Sequence, residues 1–512
     1  MTSPEPTETA AAPAAKEPHR LTRFVVVRGL GFVYLVAFLV LANQLLPLLG
    51  SDGLTPVRDF LARVPLDAGS RWEAFWQYPT IFWWDASDAF MRSLAWLGVV
   101  LSAVVLAGFA NGLLLLILWF VYLSFVQVGQ IWYGFGWEIM LLELGFLCVF
   151  LGPFLDLRPF LRSPPPRVTI WLIRWFLFRV MFGAGLIKLR GDPCWRDFSC
   201  LLFHFETQPI PNPLSWYFHN LPDWMLRAGV GVNHIVEVLL PPFFLFGPRM
   251  IRRIAGAGVV LFQVMLILSG NLAFLNWLTI VAALACFDDD LYRRILPRRL
   301  VGACARAAAG PPDSRGVVPA AWCYAAVVAV LSIAPVQNMA SSRQIMNTSF
   351  DRWSLVNTYG MFGSVGRTRD EIVIEGTRSS IPDEDAEWVE YDWKCKPGDP
   401  TRRPCWITPY HLRLDWLVWF AAMSDYEHHP WVMHLAWKLL HADPGALALL
   451  DGDPFGGEPP RFIRAERYRY EFTKESGEVW WKRRRLGSYF PALDAQNGSL
   501  RRFLRQYGWG DR

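Results

Sequence analysis

Residues 171–220 read WLIRWFLFRVMFGAGLIKLRGDPCWRDFSCLLFHFETQPIPNPLSWYFHN. The first twenty or so are apolar enough to cross a bilayer, yet they include Arg174, Arg179 and Lys188. A charge inside a membrane costs roughly 2.5–3.5 kcal/mol on insertion scales, so such residues turn toward a bundle interior or an aqueous cavity. The chain then enters a loop with Cys194, Cys200, His204 and Glu206, followed by Gln208-Pro209-Ile210-Pro211-Asn212-Pro213. Proline fixes its own φ and restricts the residue before it, which excludes helix interior here. A charged span feeding so specific a loop is the leading site candidate.

Working outward, the 512 residues are 53% hydrophobic and 19% charged, with mean hydropathy +0.22. A soluble chain carries about 25% charge. Span-length apolar windows fall near 24–49, 91–108, 111–128, 138–155, 169–189, 226–247, 252–270, 271–287 and 318–335. Ser269-Gly270-Asn271 reads as a hairpin turn between two of them. Residues 1–20 are Thr, Pro, Glu and Ala rich and read as a disordered tail. No signal-cleavage layout follows, so the first span is expected to be retained.

The expected fold is a polytopic α-helical membrane bundle of about nine spans over residues 21–335, with an outer loop at 191–225. An α+β extracytoplasmic domain follows at 336–512. There, 371–375, 387–393, 461–473 and 478–484 read as strands, and 412–423 and 430–440 as amphipathic helices whose tryptophans rest at the membrane interface. With the N-terminus in the cytoplasm, inner segments hold 15 Lys and Arg and the outer connections 4, in keeping with positive-inside placement. Nucleic-acid binding is excluded: the net charge is only +5, and neither a basic aromatic patch nor a Gly-rich phosphate loop occurs.

Of the eight cysteines, Cys304 falls on the expected cytoplasmic side and four fall on the outer side as two close couples, Cys194 with Cys200 and Cys395 with Cys405. On the oxidising face they read as two local disulfides; four free thiols are the alternative. Cys194, Cys200, His204 and His219 match no common zinc spacing, and neither metal nor cofactor is expected. The couples are not C-x-x-C, which weakens a thiol-redox role.

Three roles are open to Lys188: an end-of-helix lysine that snorkels, half of a buried clamp, or a base whose pKa burial lowers. Arg174 and Lys188 share one helix face, as fourteen residues is close to four turns. Further intramembrane polar residues are Glu138, Glu143, His234 and Glu237, and the expected pairs join Arg179 or Arg174 to Glu237 or Glu143. Trp195, His204, Glu206 and Asn212 form a client or loop site; with Lys188 as base, His204 and Glu206 are its catalytic alternative. No G-x-S-x-G elbow occurs, so the chain is not itself a lipase.

GLIKLRGDPCWRDFSCLLFHFETQPIPNP, WWDASDAFMRSLAW, SGNLAFLNWLT, LVNTYGMFGSVGRTRDEIVIEGT and KCKPGDPTRRPCWITPYHLRLDWLVWFAA resemble the lipase maturation factor family, in the family's order, over about residues 60–490. The resemblance implies a membrane protein that helps secreted lipases fold and assemble, located in the endoplasmic reticulum of animals. The Ala/Arg/Trp-rich composition looks bacterial, where the location implied is the inner membrane. The implied partners are the bilayer and an incompletely folded secreted client, met by Trp195, Trp216, Trp416 and Trp419 without enzymatic chemistry. FGAGLIKL at 182–189 is also similar, over about eight residues, to the membrane domain of vitamin K-dependent γ-carboxylase. That likeness implies the alternative of a membrane enzyme using Lys188 on a lipid-soluble substrate; a thiol-redox partner is a further one.

Overall fold

A computed structural model describes residues 19–64, 70–309, 317–474 and 477–509. Residues 1–18 of the expected tail lie outside the described residues, and Arg20 already opens the first helix. The main helices of the N-terminal part are α1 (Arg20–Leu49), α2 (Asp88–Ala107), α3 (Gly112–Val128), α4 (Gly136–Val149), α5 (Arg167–Arg190), α6 (Asp223–His234), α7 (Arg249–Ser269), α8 (Leu275–Ala283) and α9 (Val317–Ala340). Among the described residues, five are long and apolar enough to cross a bilayer: α1, α2, α5, α7 and α9.

The other apolar stretches are shorter. α3 has 17 residues, and α8 runs on only to Cys286. The window at 226–247 is divided, because α6 passes into a π-turn at Ile235–Leu239 and then meets Pro241 and Pro242. Proline removes a backbone donor and clashes with the carbonyl one turn back.

Caps and contacts bring alternate chain ends together. At one end of the bundle, Asp289 accepts from the backbone N–H of Arg20 and Leu21 at 2.9 Å, capping α1 with an anion. Arg23 reaches Ser163 O at 2.9 Å, and Arg249 pairs with Asp288 at 2.7 Å. At the opposite end, Gln44 donates to His411 O at 2.7 Å and Asn271 to Cys405 O at 2.9 Å.

That opposite end carries the C-terminal part. Strands β1 (Thr348–Ser349) and β2 (Asn357–Thr358) form a short pair. β3 (Arg369–Thr377), β4 (Val389–Tyr391), β5 (Phe462–Phe472) and β6 (Trp481–Leu493) form one antiparallel sheet in the order β4-β3-β5-β6. Ile374 lies opposite both Tyr391 and Ala465. Helices α10 (Arg413–Ala421), α11 (Trp431–Leu439) and α12 (Gly498–Gln506) pack around it. One apolar core runs without interruption from α1 and α4 through α10 and α11 into β3 and β5.

The tryptophans of α10 and α11 require a correction. Trp416 and Trp431 are 4% and 1% exposed, so they do not face lipid. They pack edge-to-face with Trp137 and Trp132 of the bundle, with ring centroids 5.0 and 5.3 Å apart. Burial of both rings among other aromatic side chains outweighs the interface, although each indole N–H is left without a hydrogen-bond partner among the described residues. The exposed aromatic belt lies elsewhere, in Trp72, Trp76 and Trp84 between α1 and α2.

Candidate functional site

Lys188 sits in the last turn of α5, where a cation complements the helix dipole. It is 4% exposed. Its Nζ donates to Glu237 Oε1 at 2.6 Å, Glu237 Oε2 at 2.7 Å and Asn233 Oδ1 at 3.0 Å. Three acceptors engage all three ammonium protons. Two local features make the pairing. The π-turn displaces the chain so that Asn233 and Glu237 present together, with Asn233 donating to Glu237 at 3.1 Å. Gly185 lets α5 approach that turn, since a Cβ there would stand 2.6 Å from Val238 Cγ2 and 2.9 Å from Glu237 O.

Two further buried acids hold the bundle to the C-terminal part. Glu143 of α4 pairs with Arg179 and accepts from the Asn357 backbone at 2.9 Å and from Tyr359 Oη at 2.7 Å. Glu138 of α4 accepts from Arg413 at 2.9 Å, from Trp137 Nε1 at 3.1 Å and from the Tyr122 hydroxyl. Arg413 also lies 3.5 Å over the Tyr133 ring. All these acids are at most 1% exposed. Breaking one such pair costs about 3–5 kcal/mol, because it leaves a buried charge alone. The expected partner sets are thus redistributed: Glu143 takes Arg179, Glu237 takes Lys188, and Arg174 instead donates to Ala285 O at 2.8 Å. His234, expected beside Glu237, donates from Nε2 to Trp195 O at 2.9 Å.

The outer loop lies between bundle and sheet, and its polar groups face inward. Arg369 of β3 donates to Glu206 O and Pro209 O at 2.9 Å, and also to Gln208 O. Burial pulls its pKa down to about 9. The Glu206 carboxylate accepts from Phe472 N at 2.7 Å, and burial raises its pKa. Asn212 bridges Ser215 N at 3.1 Å and Ile267 O at 3.1 Å. His204 packs edge-on against Phe205 and Phe362; burial and the nearby Lys188 charge lower its pKa to about 4.

Trp195, His204 and Asn212 are 2%, 6% and 0% exposed. They order the loop from within and offer no surface. The same holds for the tryptophans named as client contacts. Trp195 donates to Phe362 O at 2.8 Å, Trp216 to Thr473 O at 2.7 Å and Trp419 to Thr207 O at 3.0 Å. The indole N–H groups of these three have partners, with Trp419 half-buried; Trp416 is buried with its indole N–H unpartnered among the described residues.

Cys194 and Cys200 have Cα atoms 4.7 Å apart, and Cys395 and Cys405 5.5 Å. Both lie at disulfide distance. Cys194 and Cys200 are fully buried, out of reach of an exchanging thiolate. Among the described residues, no group of three or more His, Cys, Asp and Glu side chains could hold a metal ion.

Beside Lys188, between α5, α6, α7 and α8, lies a cavity of about 280 Å³. Its wall is chiefly apolar, with Met181, Leu226, Phe262 and Leu266 among its residues. Lys188, Glu237, Asn233, His204, Gln263 and Asn276 are among its polar points. Sequence reading singled out neither Asn276, Arg413 nor Arg369. Only Asn233, four residues before Glu237 on one helix face, carried a local signal.

A helical bundle sealed by buried ion pairs, with a sheet-and-helix region locked across one end, defines a polytopic membrane protein built as one body. Residues 21–294 match the family model of the lipase maturation factor transmembrane domain, and residues 355–491 that of the lipase maturation factor C-terminal domain. The chain is 48% identical to lipase maturation factor 1 of Bos taurus, over 96% of this chain and 91% of that protein. It is 47% identical to the Homo sapiens protein of that name, over 96% and 90%. Lipase maturation factor 2 of Xenopus laevis is 29% identical, over 96% and 85%. No solved structure matches. The chain belongs to the lipase maturation factor family.

Proposed function

We propose that this chain is a membrane-embedded maturation factor that assists secreted lipases to fold and assemble, acting as a scaffold rather than by covalent chemistry. The observation that carries this is likeness to lipase maturation factor 1 at 47–48% identity along 96% of the chain, bundle and C-terminal region together.

The proposed topology has nine crossings, with α3, α4, α6 and α8 as the shorter ones and the C-terminal region on the non-cytoplasmic side. Seventeen helical residues span ~25 Å, most of a hydrocarbon core. The alternation of chain ends supports it: Arg20, Arg249 and Asp288 gather at one end, Gln44, Asn271 and residues 405–411 at the other. The 15-to-4 bias of cations supports the orientation.

A base needs a proton-free amine. The neutralising carboxylate and three acceptors around Lys188 support a clamp instead. Residues Trp195, His204, Glu206 and Asn212 then set the shape of the outer loop, and the Cys194–Cys200 disulfide fixes it.

The test is replacement of a cell's own factor by this chain, with secreted lipase activity and assembled lipase as readouts. Restored activity per lipase molecule is expected. A chain that reaches the membrane folded and leaves the lipase inactive overturns the proposal. A reporter fused after Arg512 should be active only outside the cytoplasm.

A further inference from the structure

The cavity beside Lys188 has no role in the clamp itself. With Nζ engaged by three acceptors and neutralised by Glu237, that wall presents no spare charge. Two polar groups remain open toward the space. The His204 ring nitrogens have no hydrogen-bond partner among the described residues, and the ring lines the cavity. Asn276, 1% exposed, donates through Nδ2 to Gln263 Oε1 at 2.7 Å, but its Oδ1 is buried without a partner. A buried amide oxygen left unpaired is costly, and native interiors rarely tolerate one without a water or ligand.

The rest of the wall is chiefly apolar, with Ser269, Thr279, Asn347 and Tyr359 as its other polar residues. Phe218, Leu221 and Met225 border it, and Met225 is 40% exposed. Trp224, next in the chain, is 70% exposed. The way in therefore opens beside exposed apolar side chains where the outer loop meets α6. A volume of about 280 Å³ lies at the lower end of ligand pockets. It holds one chain or a small ring system, not a two-chain phospholipid.

We propose that this cavity binds one neutral, single-chain lipid that carries a hydroxyl headgroup, a monoacylglycerol or long-chain alcohol by class. The chain lies against Met181, Phe262 and Leu266, and the hydroxyl meets Asn276 and His204. A hydroxyl both donates and accepts, so it satisfies the amide in either orientation of the Asn276–Gln263 pair. A carboxylate headgroup would find no free cation there. The inference goes beyond lipase maturation and stands or falls without it.

The test uses the full chain in phosphatidylcholine vesicles with photoactivatable, clickable probes of one chain length: a monoacylglycerol, a fatty acid and a phosphatidylcholine. The monoacylglycerol probe is expected to label saturably, on peptides of α6, α7 and α8 that line the cavity, and excess long-chain alcohol should displace it. Leu266→Trp, which fills the space, and Asn276→Leu, which removes the amide, should each lower saturable labelling tenfold or more with an unchanged melting temperature. Equal labelling by the three probes overturns the proposal. So does labelling confined to the outward face of α7 at Leu261 and Leu268. If Leu266→Trp melts early, Asn276→Leu decides, and undiminished labelling in it overturns the proposal.

Discussion

Removing the Lys188 ammonium while leaving Glu237 in place separates a clamp from a catalytic base. In Lys188→Ala, the Glu237 carboxylate keeps only Asn233 Nδ2 at 3.1 Å, with the side chain 6% exposed. Orphaning such a charge costs about 3–5 kcal/mol. At roughly 2–4 °C per kcal/mol, melting should fall on the order of 10 °C. Lys188→Arg keeps the charge and reaches both carboxylate oxygens, so it should lose about 1 kcal/mol or less. Lys188→Met with Glu237→Leu should recover most of the loss, since no charge is left alone. Melting would be followed by tryptophan fluorescence in detergent micelles, and function by secreted lipase activity. Arginine is effectively never deprotonated. A Lys188→Arg protein that melts normally but matures no lipase would therefore refute the clamp. A Lys188→Ala protein that melts like the parent would show that the pair contributes nothing.

Arg413→Met should destabilise by about 3–5 kcal/mol, and Glu138→Leu added to it should restore part of that, a coupling that a double-mutant cycle in thermal melts measures. Mass spectrometry of unreduced protein should find Cys194 linked to Cys200 and Cys395 to Cys405; Cys395→Ser should cost about 2–3 kcal/mol in melting. Burial lowers the His434 pKa from 6.5 to about 4, so the folded protein holds it neutral while the unfolded chain protonates it. Its stabilisation is complete above pH 6.5 and is lost as pH falls toward 4, by up to about 3 kcal/mol. His434→Asn keeps a donor toward Leu54 O, 2.8 Å from the imidazole, and should flatten the stability slope between pH 7 and 5.

Periodic features were legible in the sequence. The strands around Ile372–Ile374, the helices beginning near Arg413 and Trp431, and the turn at Ser269–Asn271 follow from alternation, amphipathicity and breakers. So did the inventory of intramembrane charges. The pairing of Glu138 was not, because nothing local joins it to Arg413, 275 residues on. The tryptophans of α10 read equally as membrane belt or core, and only the facing Phe135 and Trp137 decide it. The cavity was invisible for the same reason: its wall is drawn from segments between Gly136 and Phe362.

The separation of Glu138 from Arg413 has a consequence for biosynthesis. At about 5–20 residues per second, 275 residues take the ribosome on the order of 15–55 s. Throughout that interval α4 carries a carboxylate whose cation has not yet been made. Arg179 arrives for Glu143 within 36 residues, but Asn357 and Tyr359 come more than 200 later. The nascent bundle is thus a client before it is a helper, dependent on whatever retains half-made membrane proteins. A message that stops before Arg413 leaves Glu138 without that cation for good.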